Sequence, residues 1–253
     1  MFWKRKKNLD PVRVDAKSSQ REAISLTKLQ EQIRRPCTTF EAGGFRPTNE
    51  IEESWLGRVS HYSPEEELPK DKHGNRMMEL GQFYLPAMPH VPESLSEIIL
   101  LTVFISPELE GDSDLMEGCW EIREYRSVDA LVRKEFENES IRLKPFPLKP
   151  YFVETDHPIW DGGGLTSDQE DAFLALENDG EISDYYDVTS HSHSHKFGGY
   201  PSFCQPGVDL HPHEFVFQIS SDSKIQLNVI DSGSLMFWRH PELGTWRLYY
   251  DFY

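Results

Sequence analysis

Four short motifs occur twice along this chain in the same order, and a repeated order constrains the fold more than any single motif does. The first set is Gly43-Gly44-Phe45-Arg46-Pro47, then Leu80-Gly81-Gln82-Phe83, then an apolar run ending in Pro107-Glu108-Leu109, then Gly118-Cys119-Trp120-Glu121-Ile122. The second is Gly198-Gly199-Tyr200-Pro201, then Val216-Phe217-Gln218-Ile219, then a run ending in Pro241-Glu242-Leu243, then Gly244-Thr245-Trp246-Arg247-Leu248. The order predicts an internal duplication. Residues 1–36 form an N-terminal tail and helix, and residues 37–253 one duplicated domain. Its first copy covers about 38–139, a linker about 140–190 and a second copy about 191–253. The extra length of the first copy falls in a loop around Glu65-Glu66-Glu67, where insertions cost little.

Periodicity predicts an α+β fold: internally duplicated, mainly antiparallel β halves with a few helices. Ile98–Ile105 is a continuous apolar run that suits a buried strand, and residues 118–125 follow as another. Phe215, Phe217 and Ile219 alternate, as do Ile225, Leu227 and Val229, which predicts strands with one covered face. Helices are expected over 18–35, with Ser19 and Glu22 as a capping box, over 128–138, and over 167–178, where Ser167 and Glu170 repeat that pattern. Pro145, Pro147 and Pro150 mark an extended connector.

The second set carries a resemblance. Lys196-Phe197-Gly198-Gly199-Tyr200-Pro201, Phe215–Ile219 and Asp231–Trp238 resemble the YwqG-like family of bacterial proteins. The similarity is clearest over 193–252 and looser over 38–125, where Glu41-Ala42 departs from the pattern and Arg46 is inserted before Pro47. The resemblance implies duplicated β-rich halves. It brings no catalytic set. At the level of the family it suggests a toxin-neutralising immunity role.

Charge narrows the partners. With 26 Lys and Arg against 43 Asp and Glu, the net charge of −17 repels phosphate backbones and anionic lipid, so nucleic acid is excluded as a direct ligand and a basic protein is favoured. The basic start Met1-Phe2-Trp3-Lys4-Arg5-Lys6-Lys7 lacks the apolar stretch of a signal peptide, and Ile98–Ile105 is too short to span a bilayer. Cys37, Cys119 and Cys204 form no CxxC, so reduced thiols in a cytoplasm are expected.

Few residues stand out as chemical. His191, His193 and His195 would share one face of a strand and are the metal candidates, although a solvated loop explains them as well. Gln82 and Gln218 sit within apolar strands and must satisfy their amides there; with Gly43, Gly44, Gly198 and Gly199 they are structural positions or a paired ligand site. Asp156-His157 reads as a turn before Pro158, and Cys119 and Cys204 as small core residues. One or two of the tryptophans are expected at the surface. No P-loop, G-x-S-x-G or dinucleotide fingerprint is present, and nothing calls for a cofactor. The expected function is a soluble, non-catalytic binding protein with an acidic surface for a basic protein partner. The alternative is a small-molecule or metal-dependent enzyme with its site between the halves.

Overall fold

The computed structural model describes residues 25–108, 116–137 and 143–252. Ten strands form one antiparallel sheet: β1 (Arg35–Ala42), β2 (Trp55–Leu56), β4 (Met78–Tyr84), β5 (Leu100–Ile105), β6 (Trp120–Tyr125), β8 (Phe146–Asp156), β9 (Lys196–Gly198), β10 (Glu214–Ser220), β11 (Ser234–Arg239) and β12 (Trp246–Asp251). Two short strands, β3 (His61–Tyr62) and β7 (Val132–Arg133), pair separately. The α-helices among the described residues are α1 (Leu26–Ile33), α2 (Ser167–Asn178) and α3 (Tyr185–Val188). The fold is therefore mostly β, which corrects the expected α+β class. None of the described helices is long and apolar enough to cross a membrane.

Two misreadings account for much of that correction. Val128, Leu131, Val132 and Phe136 have helical spacing, yet Val132 pairs with Tyr62 and the Phe136 ring packs edge-on to Tyr62 at 5.1 Å. Cross-strand contact outweighs the weak helical preference. Pro145, Pro147 and Pro150 do mark extended chain, but the segment is β8, a strand at the centre of the sheet. It pairs with β1 along its length, while β2 pairs only with Phe146 and Pro147 on the other side. Over the remainder, which holds Pro150, β8 behaves as an edge, where proline is tolerated.

The strand order is β12-β11-β10-β9-β1-β8-β2-β4-β5-β6, which is symmetric about the β1–β8 pair. Positions match in detail across that pair. Trp55 on β2 pairs with Gln82 as Lys196 on β9 pairs with Gln218. The backbone N–H of Tyr84 bonds Ser54 Oγ at 3.0 Å, and that of Ser220 bonds His195 Nδ1 at 3.1 Å. By this matching Gly57 occupies the place of Gly198, with φ of 71° and 79°. Gly43-Gly44 follows β1 instead, so the first motif pair does not align as its spelling suggests.

The sheet curls until its two ends meet. Glu124 on β6 accepts hydrogen bonds from Trp246 Nε1 on β12 at 2.7 Å and from Arg239 Nε on β11 at 2.8 Å. The resulting interior holds one apolar core to which both ends contribute. Phe197, Phe217 and Phe237 stack through it with ring centroids 4.7 and 4.3 Å apart. Each such ring contributes about 1.5–3 kcal/mol by leaving water. Ile225, Leu227 and Val229 also bury their side chains, but from turns with Gln226 and Ile230 at positive φ and not from a strand.

The helices form a separate lid. Leu29 and Ile33 of α1 pack on Phe173 and Leu176 of α2 and on Tyr185 of α3. Ser25 caps α1; the expected capping box at Ser19 and Glu22 lies outside the described residues. In α2 the capping box is Thr166 with Gln169, one residue before the expected pair.

Candidate functional site

The end of β8 and the start of β9 bring together groups that the sequence keeps forty residues apart. Asp156 and Lys196 are both fully buried, and Lys196 Nζ donates to Asp156 Oδ2 at 2.8 Å and to the Ser192 carbonyl at 2.6 Å. Asp156 also accepts from the backbone N–H of Ser192 at 2.7 Å and of Tyr200 at 2.8 Å. Burial pulls the Lys196 ammonium down from its ordinary range, and Asp156 acts against that fall. The same burial pushes the nearby Cys37 thiol up to about 12, so it stays protonated.

Gly198 and Gly199 make room for this pair. Both hold positive φ, and a Cβ on Gly199 would lie 2.2 Å from Asp156 Oδ2. A Cβ on Gly198 would lie 2.8 Å from the His90 ring. Their role is close backbone approach.

The chain of polar contacts continues outward. His191 Nε2 lies 2.7 Å from Ser202 Oγ and 3.4 Å from Lys196 Nζ, while its Nδ1 lies 2.7 Å from the His157 carbonyl. Nδ1 therefore carries the proton and donates it, leaving Nε2 as an acceptor. Burial and the adjacent Lys196 charge hold His191 at about 4, so it is neutral near pH 7. Gln218 closes the network. Its Oε1 accepts from Ser202 N at 3.0 Å, and its Nε2 faces Ser202 Oγ at 2.9 Å and the Ser194 carbonyl at 3.0 Å.

The three candidate metal ligands do not share a face. They lie in the loop before β9; His195 turns to Asp222 Oδ2 at 3.3 Å, His191 turns inward, and His193 is exposed. Among the described residues no group of three or more His, Cys, Asp or Glu is placed to hold a metal ion.

Gln82, at the matching place in the other part of the sheet, is half satisfied. Its Oε1 accepts from the backbone N–H of Ser60 at 3.0 Å and of His61 at 3.2 Å, but its buried Nε2 has no partner. Gly43 and Gly44 lie away from both glutamines, in the turn after β1, where Gly43 N bonds the Pro147 carbonyl at 2.7 Å. Among the described residues Trp55 and Trp238 are buried and Trp120, Trp160 and Trp246 half-buried, so none of these five is fully exposed, contrary to expectation.

Residues 54–243 match the family model of DUF1963, a domain of unknown function. The chain belongs to this family. No curated protein matches it. The DUF1963 match contains every member of the buried network, from Asp156 to Gln218, but leaves out β1 and β12.

Three cavities of the DUF1963 chain bear on function. One of about 480 Å³ opens beside the network and is lined by Asp161, Tyr186, His191, His193, Phe203 and Cys204. The other two, of about 410 and 420 Å³, sit at matching places about the β1–β8 pair. Leu148, Lys149 and Pro150 with Glu52 and Glu53 wall the first; Phe40, Glu41 and Ala42 with His193 and Ser194 wall the second. The fold thus repeats the shape of the pocket and changes its chemistry.

Proposed function

We propose that this DUF1963 chain is a non-catalytic, YwqG-like binding protein of the bacterial cytoplasm that takes a basic protein partner on its acidic surface, in the manner of a toxin-neutralising immunity protein. The closure of the buried network supports the reading best. The donors of Lys196 and the amide of Gln218 are spent on protein acceptors, the arrangement of a framework that specifies one packing. The charge of −17 adds to this, because it would speed association with a cation and make it salt-sensitive. A duplicated unit accounts for the mirrored strand order and the matched pockets.

The test is capture of the tagged protein from its own cells at low salt, followed by affinity measurements on the purified pair as salt rises. A basic partner whose affinity falls steeply with salt supports the reading. An empty capture at low salt removes it.

The alternative, an enzyme acting on a small molecule, has one observation in its favour, and it lies beside the network and not between the two parts of the sheet. Ser202 Oγ is 2.7 Å from a neutral imidazole that lines the 480 Å³ cavity. Labelling of Ser202 by a fluorophosphonate would establish it, and an unlabelled protein would leave Ser202 a network member only.

A further inference from the structure

The strands β6 and β12 are the two ends of the sheet, and each has one side without a strand partner among the described residues. Ser106 N bonds the Cys119 carbonyl, so alternation along β6 turns the backbone of Glu121 and Arg123 to β5. Trp120, Ile122 and Glu124 turn theirs outward. His240 N likewise bonds the Thr245 carbonyl, so Trp246 and Leu248 on β12 face away from β11. These two outward rows look at each other across a seam. Among the described residues no backbone hydrogen bond joins them. The crossing is made by side chains, with Glu124 reaching Trp246 and Arg239. A gap that a glutamate and a tryptophan must span together is wider than one inter-strand spacing of roughly 4.8 Å.

The seam is also hollow. A cavity of about 320 Å³ opens there, walled by Trp120, Leu210, Trp246, Leu248 and Tyr249, with Glu117 and Arg247 as the charged groups of its lining. Trp120, Ile122, Trp246 and Leu248 are only partly buried against the core, so apolar surface remains for a newcomer. Unpaired strand edges are templates for another extended chain.

We propose that an extended segment of a basic partner protein adds as a strand between β6 and β12 and completes the barrel; this rests on the basic-partner reading above. Facing rows of backbone donors and acceptors specify an extended backbone as the occupant. The tryptophan walls take an apolar side chain at every second position. Arg247 offsets Glu117 within the lining, so the preference for basic residues at the positions between rests on the net charge of −17.

The probe is a fluorescent peptide of about eight residues, a typical strand length, alternating lysine and valine. Its comparators are the same peptide with alternate amides N-methylated and a glutamate–valine version. The lysine–valine peptide is expected to bind and to slow amide exchange at Trp120, Ile122 and Leu248. N-methylation should weaken it by about tenfold or more, since it removes ladder hydrogen bonds and leaves charge alone. Leu248→Pro, which deletes an outward N–H and spares the β11 ladder, should weaken it similarly. Equal binding of both lysine peptides, with no protection at the seam, overturns the strand-addition proposal and leaves the basic-partner reading standing. Absence of binding by any cationic peptide at low salt overturns both. Seam protection that grows with protein concentration, without peptide, shows a second copy in the seam and overturns it too.

Discussion

Lys196 Nζ lies 2.8 Å from Asp156 Oδ2 with both side chains sealed from water. A buried pair of this kind is strongly asymmetric in its energetics: losing one partner leaves the other as an uncompensated charge. Lys196→Met is expected to destabilise the protein by about 3–5 kcal/mol in urea unfolding. Lys196→Met combined with Asp156→Asn should recover part of that loss, because the amide keeps an acceptor for Ser192 N or Tyr200 N without the charge. A double variant less stable than Lys196→Met would show that Asp156 matters through its two accepting oxygens more than through its charge.

Glycine at 199 is demanded by space as well as by φ. A Cβ there would meet Asp156 at 2.2 Å, whereas one on Gly44 would meet nothing within 4 Å, although both residues hold positive φ. Gly44→Ala is expected to cost about 1 kcal/mol for the left-handed backbone alone. Gly199→Ala should cost on the order of 3 kcal/mol, because the buried carboxylate must move off Lys196. Thermal midpoints of the two variants give the comparison, and equal losses would remove the packing argument.

Acid should loosen the network before it titrates most carboxylates. His191 sits at about 4 when folded, against 6.5 in the unfolded chain. Between those values the unfolded state holds more protons, so stability is fully present above pH 6.5 and falls as pH drops toward 4. The loss is on the order of 3 kcal/mol. Burial lowers His157 in the same direction, while it raises the Glu79 carboxyl and works the other way. Subtracting the urea midpoints of His191→Gln from those of the parent at each pH isolates the one imidazole. A difference that does not change from pH 7 to pH 4 would contradict its assignment as neutral.

Strands built from apolar runs or clean alternation are legible in the sequence: β5, β6 and β10 fall where Ile98–Ile105, residues 118–125 and the alternation of Phe215, Phe217 and Ile219 place them, whereas Ile225, Leu227 and Val229 alternate without forming a strand. Helix α2 is legible from its caps, displaced by one residue. What local pattern cannot show is pairing. Strand β8 is hidden by its prolines because their tolerance depends on which side β2 covers. Gln82 and Gln218 stand out as amides among apolar neighbours, and both are buried. Asp156 is missed because the following Pro158 makes the segment look like a turn. Lys196 carries a signal in retrospect: a lysine directly before Phe197-Gly198-Gly199, in a strand whose three residues are all buried, has to find an anion.

The two glutamines provide the last prediction, because they share a place in the fold and differ in what surrounds them. Around Gln218 Nε2 lie the His193 and Ser194 carbonyls and the hydroxyls of Ser202 and Ser220, all acceptors, at 2.9 to 3.4 Å. Around Gln82 Nε2 no acceptor is in reach, while its Oε1 takes two backbone N–H groups. Glutamate keeps the accepting oxygen and loses the donor. At 82 it retains both hydrogen bonds and sacrifices none. At 218 it turns an oxygen toward two carbonyls and leaves them unpaired. Gln218→Glu should therefore destabilise the protein by about 1–3 kcal/mol more than Gln82→Glu, the cost of stranding buried polar groups. The comparison is best made at pH 5 and pH 8 by urea unfolding. At pH 5 a protonated glutamic acid can donate once, so the gap should narrow there. Equal destabilisation at both pH values would mean that burial of the charge, and not the lost donor, dominates at each site.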